Sequence, residues 1–299
     1  MGATLGRLTQ RSDVEGLSAG QMLERSAGMV PNKVALINGD ERITYKEVNE
    51  GADAVAAALQ SLGVRKGDRV AVSLQNIPLL VYSYFGIAKL GAITAWTNPA
   101  YRAEEVEFIL RNSGAKVAIM HRDLKGFDYL KMVGEMRSRL PNLQHLIMLD
   151  PQPDDDVIDG RELLDRYAGT PFESPPIDVK KDYVLFYNTG GTTGLPKAAA
   201  HTHYTSIMRA TVSIDPLDLT ADDITLALLP MFHPLGGAVC LNLPLATQGT
   251  IVLMPEYNAE RSLQLIQEHK VTMHHCAPAH ILMCTRLPSF KNYDLSSLR

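Results

Sequence analysis

The pattern of apolar and polar positions switches repeatedly between a period of two and a period of about 3.6 residues, the signatures of strand and helix. Residues 34–37 (VALI) form a short apolar run, and Asn38-Gly39-Asp40 turns the chain into a second run at 42–45. Thr44 heads a helical pattern over 46–63, in which Val48, Ala52, Val55, Ala56, Leu59 and Leu62 share one face and Gly63 ends it. RVAVSL at 69–74 predicts a central strand. The alternation continues with helix 78–90, strand 92–96, helix 103–113, strand 116–120, helix 127–139 and strand 145–149. A polar stretch at 151–160 reads as a surface loop, and the two prolines of 174–178 as a linker. Beyond it follow strand 183–187, helix 204–213, strand 223–229, an apolar helix over 239–245 and strand 250–253. Helix 259–269, strand 271–274 and helix 278–287 complete the series. Strands separated by helices predict parallel βαβ units with right-handed crossovers, so the fold class is α/β throughout.

Composition narrows the class. The 299 residues are 45% hydrophobic and 21% charged, enough for an ordered core and for two packed units at about 150 residues each. The net charge of −4 does not suit a general nucleic-acid binder. Three cysteines exclude a disulfide scaffold and point to a reducing compartment. The first residues, MGATLGRLTQRSDVEG, hold no apolar core of a secretory signal. The longest apolar stretch, 77–96, is broken by Lys89, Gly86 and Gly91, so a helix followed by a buried strand explains it better than a membrane span. The expectation is a soluble cytoplasmic protein without an integral membrane segment. The last residues, LPSFKNYDLSSLR, read as a connector between elements.

The densest chemical signal is Tyr187-Asn188-Thr189-Gly190-Gly191-Thr192-Thr193-Gly194-Leu195-Pro196-Lys197, directly after an apolar strand. Glycines let successive N–H groups face one point, threonine hydroxyls add neutral donors, and Lys197 adds a positive charge. This chemistry suits a polyphosphate. A Walker A loop is excluded, because Pro196 precedes Lys197 and Ala198 follows it.

The same residues, with the trailing Ala198-Ala199-Ala200-His201-Thr202-His203, resemble the phosphate-loop motif of adenylate-forming enzymes: acyl-CoA synthetases, firefly luciferases and peptide-synthetase adenylation domains. Ile43-Thr44-Tyr45-Lys46-Glu47, Lys89-Leu90-Gly91-Ala92 with Asn98-Pro99, and Leu229-Pro230-Met231-Phe232-His233 resemble three further family elements. The resemblance implies an N-terminal portion with two layered α/β subdomains and largely parallel sheets, the first over 66–209 and the second, incomplete, over 1–65 plus 214–299. It implies an ATP-dependent acid–CoA ligase in which Thr189, Gly190, Gly191, Thr192, Thr193, Gly194 and Lys197 hold the phosphates of ATP. Phe232, His233 and Gly237 would line the acyl pocket, His233 orienting or gating there. Gly190, standing where many members have Ser, and His233, where peptide-synthetase domains usually have Asp, together favour a fatty or other apolar acid over an amino acid. CoA is the implied co-substrate. The Mg2+ ligand, the adenine and ribose contacts and the catalytic lysine belong to family motifs outside residues 1–299, which leaves no metal site in this chain and predicts a piece inactive alone. The rival reading is a non-catalytic nucleotide- or acyl-binding module of the same fold.

Four other groups carry less. Cys276, His280 and Cys284 would align along one helix side as metal ligands, but Pro278 starts the helix after Cys276. His201 and His203 flank Thr202, a helix cap, and read as structural, as do the solvated acids Asp154 to Asp156. Trp96 and Tyr101 read as core and loop residues.

Overall fold

A computed structural model describes residues 9–152, 156–191 and 194–299. It begins with α1 (Arg11–Val14), α2 (Ala19–Met29), β1 (Val34–Asn38), β2 (Glu41–Thr44), α3 (Tyr45–Ser61), β3 (Arg69–Ser73), α4 (Pro78–Lys89) and β4 (Ile93–Trp96). Then come α5 (Ala103–Ser113), β5 (Val117–His121), a small hairpin β6 (Asp123–Leu124) and β7 (Phe127–Asp128), α6 (Tyr129–Met136), β8 (His145–Leu149), β9 (Ile158–Asp159) and α7 (Gly160–Tyr167). The remainder holds β10 (Tyr183–Gly191), β11 (Gly194–Thr202), α8 (His203–Thr211), β12 (Ile224–Ala227), α9 (Pro234–Gly236), α10 (Leu243–Ala246), β13 (Thr250–Leu253), α11 (Ala259–His269) and α12 (Pro278–Thr285).

Two sheets result. The larger has the order β11-β10-β4-β3-β5-β8-β9 and the smaller β12-β13-β1-β2. Every pairing in them is parallel except β10 with β11 and β1 with β2. The central strands β3, β4 and β5 are apolar on both faces, as parallel strands covered by helices must be. Thr44 caps α3 through a reciprocal box: its Oγ1 accepts from Glu47 N at 3.3 Å, and its own N donates to the Glu47 carboxylate at 2.7 Å. α3 and α4 cross closely because Gly86 has no side chain; a Cβ there would lie 2.6 Å from the Ala52 carbonyl oxygen. One apolar cluster takes in Leu36 and Ile251 of the small sheet and Val70 and Val117 of the large one. Tyr84 stacks on Trp96 within it, at 5.7 Å between ring centroids. Lys89, buried at the end of α4, is held by Asp53, by Asn49 at 2.8 Å and by Glu24 at 3.2 Å. No helix among the described residues is long and apolar enough to cross a membrane.

The structure departs from the sequence pattern in seven places. Helices α1 and α2 precede the first predicted strand. The stretch 151–160 ends in β9 and the start of α7, where Asp159 caps by accepting from Arg161 N at 2.7 Å. The helix expected from 127 begins at Tyr129, because Phe127 and Asp128 pair with β6 and Asp128 serves as cap. Segment 271–274 makes only the bridge Thr225–Met273, since Thr272 N and Met273 N converge on the single Ile224 carbonyl and no ladder can propagate. The helix over 239–245 is α9, then a wide π-turn segment (Gly237–Asn242), then α10. The strand expected to stop at 187 runs on to Gly191 and pairs with β11 along its length. The 174–178 linker is tied down, with Ser174 Oγ donating to Lys89 O at 2.9 Å and Lys66 Nζ to Pro176 O at 2.8 Å.

Candidate active site

In parallel α/β sheets, ligands gather where strands end at their carboxyl side. Here the carboxyl ends of two sheets face one another. Gln75 and Asn76 follow β3, and Asn98, Pro99 and Ala100 follow β4; across from them stand Leu228, Pro230 and Phe232 after β12 and Met254 to Tyr257 after β13. Together with Arg102, Tyr129 and His280 they line a cleft of about 480 Å³, mostly apolar with a few polar groups, the usual make-up of a small-molecule site.

Asn76 ties the two rims. Its Nδ2 donates to Ala227 O at 2.8 Å and Leu229 O at 3.0 Å, and its Oδ1 accepts from Met231 N at 2.9 Å. The residue is buried, so these bonds replace water completely and fix the loop that carries Phe232 and His233. Sequence reasoning missed it, since a single Asn beside Ile77-Pro78 looks like a helix-entry residue.

The glycine- and threonine-rich segment leaves the carboxyl end of β10, next to β4. Thr189 lies opposite Lys197, and Gly191 opposite Gly194, at the tip of the β10–β11 hairpin. Thr192 and Thr193 lie outside the described residues, as does Asp154. β11 is the edge of its sheet, so every second main-chain N–H along it points away from β10. Asn188 Nδ2 donates to Trp96 O at 2.8 Å and anchors the root of the hairpin to β4. Lys197 sits on β11 with its side chain exposed.

His233 caps α9, its Nδ1 accepting from Leu235 N at 3.3 Å. Partial burial, with the charge of Arg209 adding to it, holds its pKa below the usual imidazole range. Phe232 faces the cleft. Gly237 begins the π-turn segment against Tyr187: a Cβ there would fall 2.3 Å from the Tyr187 hydroxyl. Arg209 reaches that same hydroxyl from α8, donating from Nη2 at 3.1 Å, with its guanidinium carbon 5.1 Å from the Tyr187 ring centroid. His201 meets the other edge of the ring. Thus Tyr187, His201, Arg209 and Gly237 form one cluster, with His233 in the field of Arg209, although the motif analysis singled out only Gly237 and His233 for the pocket.

The histidine and cysteine cluster near 274–284 does not assemble. Among the described residues no three His, Cys, Asp or Glu side chains gather as a metal set. α12 begins at Pro278, His280 Nδ1 accepts from Ala277 N at 3.0 Å, and Cys284 packs on the Tyr257 hydroxyl. His203 is structural: its Nδ1 accepts from Ala19 N at 3.2 Å, and Thr202 caps α8.

The glycine- and threonine-rich hairpin follows β10 next to β4, whose trailing residues line the cleft, and comparison with known proteins defines the class. The family model described as AMP-binding enzyme matches residues 23–299, and the chain belongs to that family. It is 32% identical over 277 residues to 4-coumarate–CoA ligase 3 of Arabidopsis thaliana, covering 90% of this chain and 48% of that protein. It is 29% identical to a long-chain-fatty-acid–CoA ligase of Bacillus subtilis (strain 168), covering 93% and 53%. Among solved structures, the anthranilate CoA ligase AuaEII in complex with anthranoyl-AMP superposes with a TM-score of 0.89 at 30% identity, over 97% of this chain and 56% of that one. The N-terminal domain of FACL13 from Mycobacterium tuberculosis gives 0.81 at 29% identity, over 94% and 68%. The chain spans about half the length of the curated relatives it matches. Its α/β fold with largely parallel sheets is that of the N-terminal domains of adenylate-forming enzymes.

Proposed function

We propose that this chain is the N-terminal portion of an ATP-dependent acid–CoA ligase acting on an acid with a largely apolar body. The observation that supports the reading is that the Thr189–Lys197 hairpin extends from the carboxyl end of β10, next to β4, whose following residues Asn98 to Ala100 line the cleft. A carboxylate oxygen attacks the α-phosphorus of ATP, the bond to the bridging oxygen breaks, and pyrophosphate leaves with the electron pair. The thiol of CoA then attacks the acyl carbon, and AMP departs. The carboxylate is already a nucleophile and needs no base. The chain's own groups therefore bind and orient: Thr189 to Gly194 and Lys197 take the phosphates, while Phe232, His233 and Gly237 meet the acid. Lys197 offsets charge that builds on the leaving pyrophosphate. Mg2+ would supply further charge neutralisation.

Two measurements test this. Lys197→Ala should weaken ATP binding to this chain about tenfold, as loss of one charge-assisted contact predicts. The complete enzyme should release AMP and pyrophosphate with an added carboxylic acid, whereas residues 1–299 alone should show no ATP–pyrophosphate exchange. Release of ADP would end the ligase reading, and exchange by this chain alone would end the claim of inactivity.

A further inference from the structure

Arg209 is a cation with no carboxylate. Among the described residues it forms no ion pair, its one hydrogen bond goes to the neutral Tyr187 hydroxyl, and its Nε is buried with no partner. A guanidinium stays charged under all ordinary conditions, so burying part of it without a counter-ion costs free energy that only an anion can return. Its surroundings offer none. Tyr187 is buried and neutral, its hydroxyl pushed up to about 12 by burial against the pull of Arg209. His201 and His233 are both held below the usual imidazole range, by burial first and by Arg209 second, and an imidazole carries no negative charge in either form. The position is fixed from two sides. Thr202 caps α8, and His203 at its first turn is pinned to α2. The Tyr187 hydroxyl is wedged against Gly237, where no side chain fits.

We propose that Arg209, braced by Tyr187, is a specificity-determining residue that receives a second oxyanionic group, most simply a carboxylate, at the far end of the acid. The inference rests on the acid–CoA ligase reading, which puts the acid along Phe232, His233 and Gly237. The Tyr187 hydroxyl that Arg209 touches abuts Gly237 itself. The unpartnered Nε–H is a charge-assisted donor of the kind a carboxylate oxygen accepts. The preferred substrate class is then an acid with an apolar stem and an oxyanion at each end, one reacting and one held.

The test uses residues 1–299 with ATP, hexanoate and hexanedioate as probes, followed by calorimetry. At equal carbon count, hexanedioate should bind about tenfold tighter than hexanoate, the size expected for a charge-assisted contact. Arg209→Met should remove that preference and leave hexanoate unchanged; Tyr187→Phe, which keeps the ring, should reduce it. The preference in the unaltered chain needs no variant, so a folding defect in either substitution cannot hide the answer. If ATP and hexanoate bind but hexanedioate binds no better, this inference fails and the ligase reading stands. Equal weakening of both acids by Arg209→Met would assign the guanidinium to the reacting carboxylate and overturn the proposal. If the complete enzyme releases ADP with these acids, the ligase reading falls and takes the inference with it.

Discussion

Asn76 shows how one side chain can hold two layers in register. It saturates two carbonyls and one N–H of the loop after β12 from a position after β3. Asn76→Ala would leave those main-chain groups buried and unpaired, so unfolding in urea should show a loss of about 2–3 kcal/mol. Hexanoate binding should weaken along with it, since Phe232 and His233 ride on that loop; an unchanged midpoint would refute the role. At this scale, legibility followed sequence proximity. The Thr189–Lys197 motif stood out because its residue types are contiguous. Asn76 and Arg209 could not, because their partners (Met231 for one, Tyr187 for the other) become neighbours only after the sheets form. His203 lay between: its adjacency to a capping Thr marked it as structural, while its partner Ala19 stood in a helix the pattern did not predict.

Among the elements, those with a long regular period and a local stop signal were legible nearly to the residue. α5, α11, β8 and β13 match the pattern at both ends. α3 matches because Thr44 and Glu47 close a capping box that is written in four adjacent residues. Thr44→Ala should therefore cost about 1 kcal/mol, seen as a lower thermal midpoint. Thr44→Ser, which keeps the acceptor, should recover most of it; equal losses in both would assign the effect to something other than the cap. What the period could not reveal was competition between partners. The glycines that read as a loop after Tyr187 are drawn into a ladder by β11, and the apolar run at 271–274 is denied one because two amides share the Ile224 carbonyl. α7 is only eight residues and follows an acidic stretch, so its apolar face was too short to stand out.

For the whole molecule, burial of histidines sets the response to acid. His203 is fully buried and its pKa is lowered to about 4, chiefly by desolvation, from an ordinary value near 6.5. His121, His201, His233, His269, His274 and His275 are shifted in the same direction. Between pH 6.5 and 4 the unfolded chain binds a proton at position 203 that the folded chain refuses, so stability falls as pH falls across that window. For His203 alone the loss amounts to roughly 3 kcal/mol once pH 4 is reached. Thermal midpoints measured from pH 7 to pH 4.5 should decline, and His203→Gln should lower the pH 7 value yet flatten the decline. Parallel curves for the two proteins would rule out this histidine as a contributor. The apolar cluster shared by both sheets further predicts a single calorimetric transition.

The wide turn from Gly237 to Asn242 has a consequence for how this site can change. A π-turn accommodates one residue more than a regular helix does, so a chain shortened by one residue there could close into an ordinary helix with α10 left in place. The flanking segments would keep their bearings, because the wide turn already absorbs the extra residue. What would be redrawn is the turn itself, including the close approach of Gly237 to the Tyr187 hydroxyl. Length variation in this short stretch is thus a means of reshaping the wall beside Tyr187 in a single genetic event, and single-residue deletions between 238 and 241 are where altered ligand selectivity should be sought first.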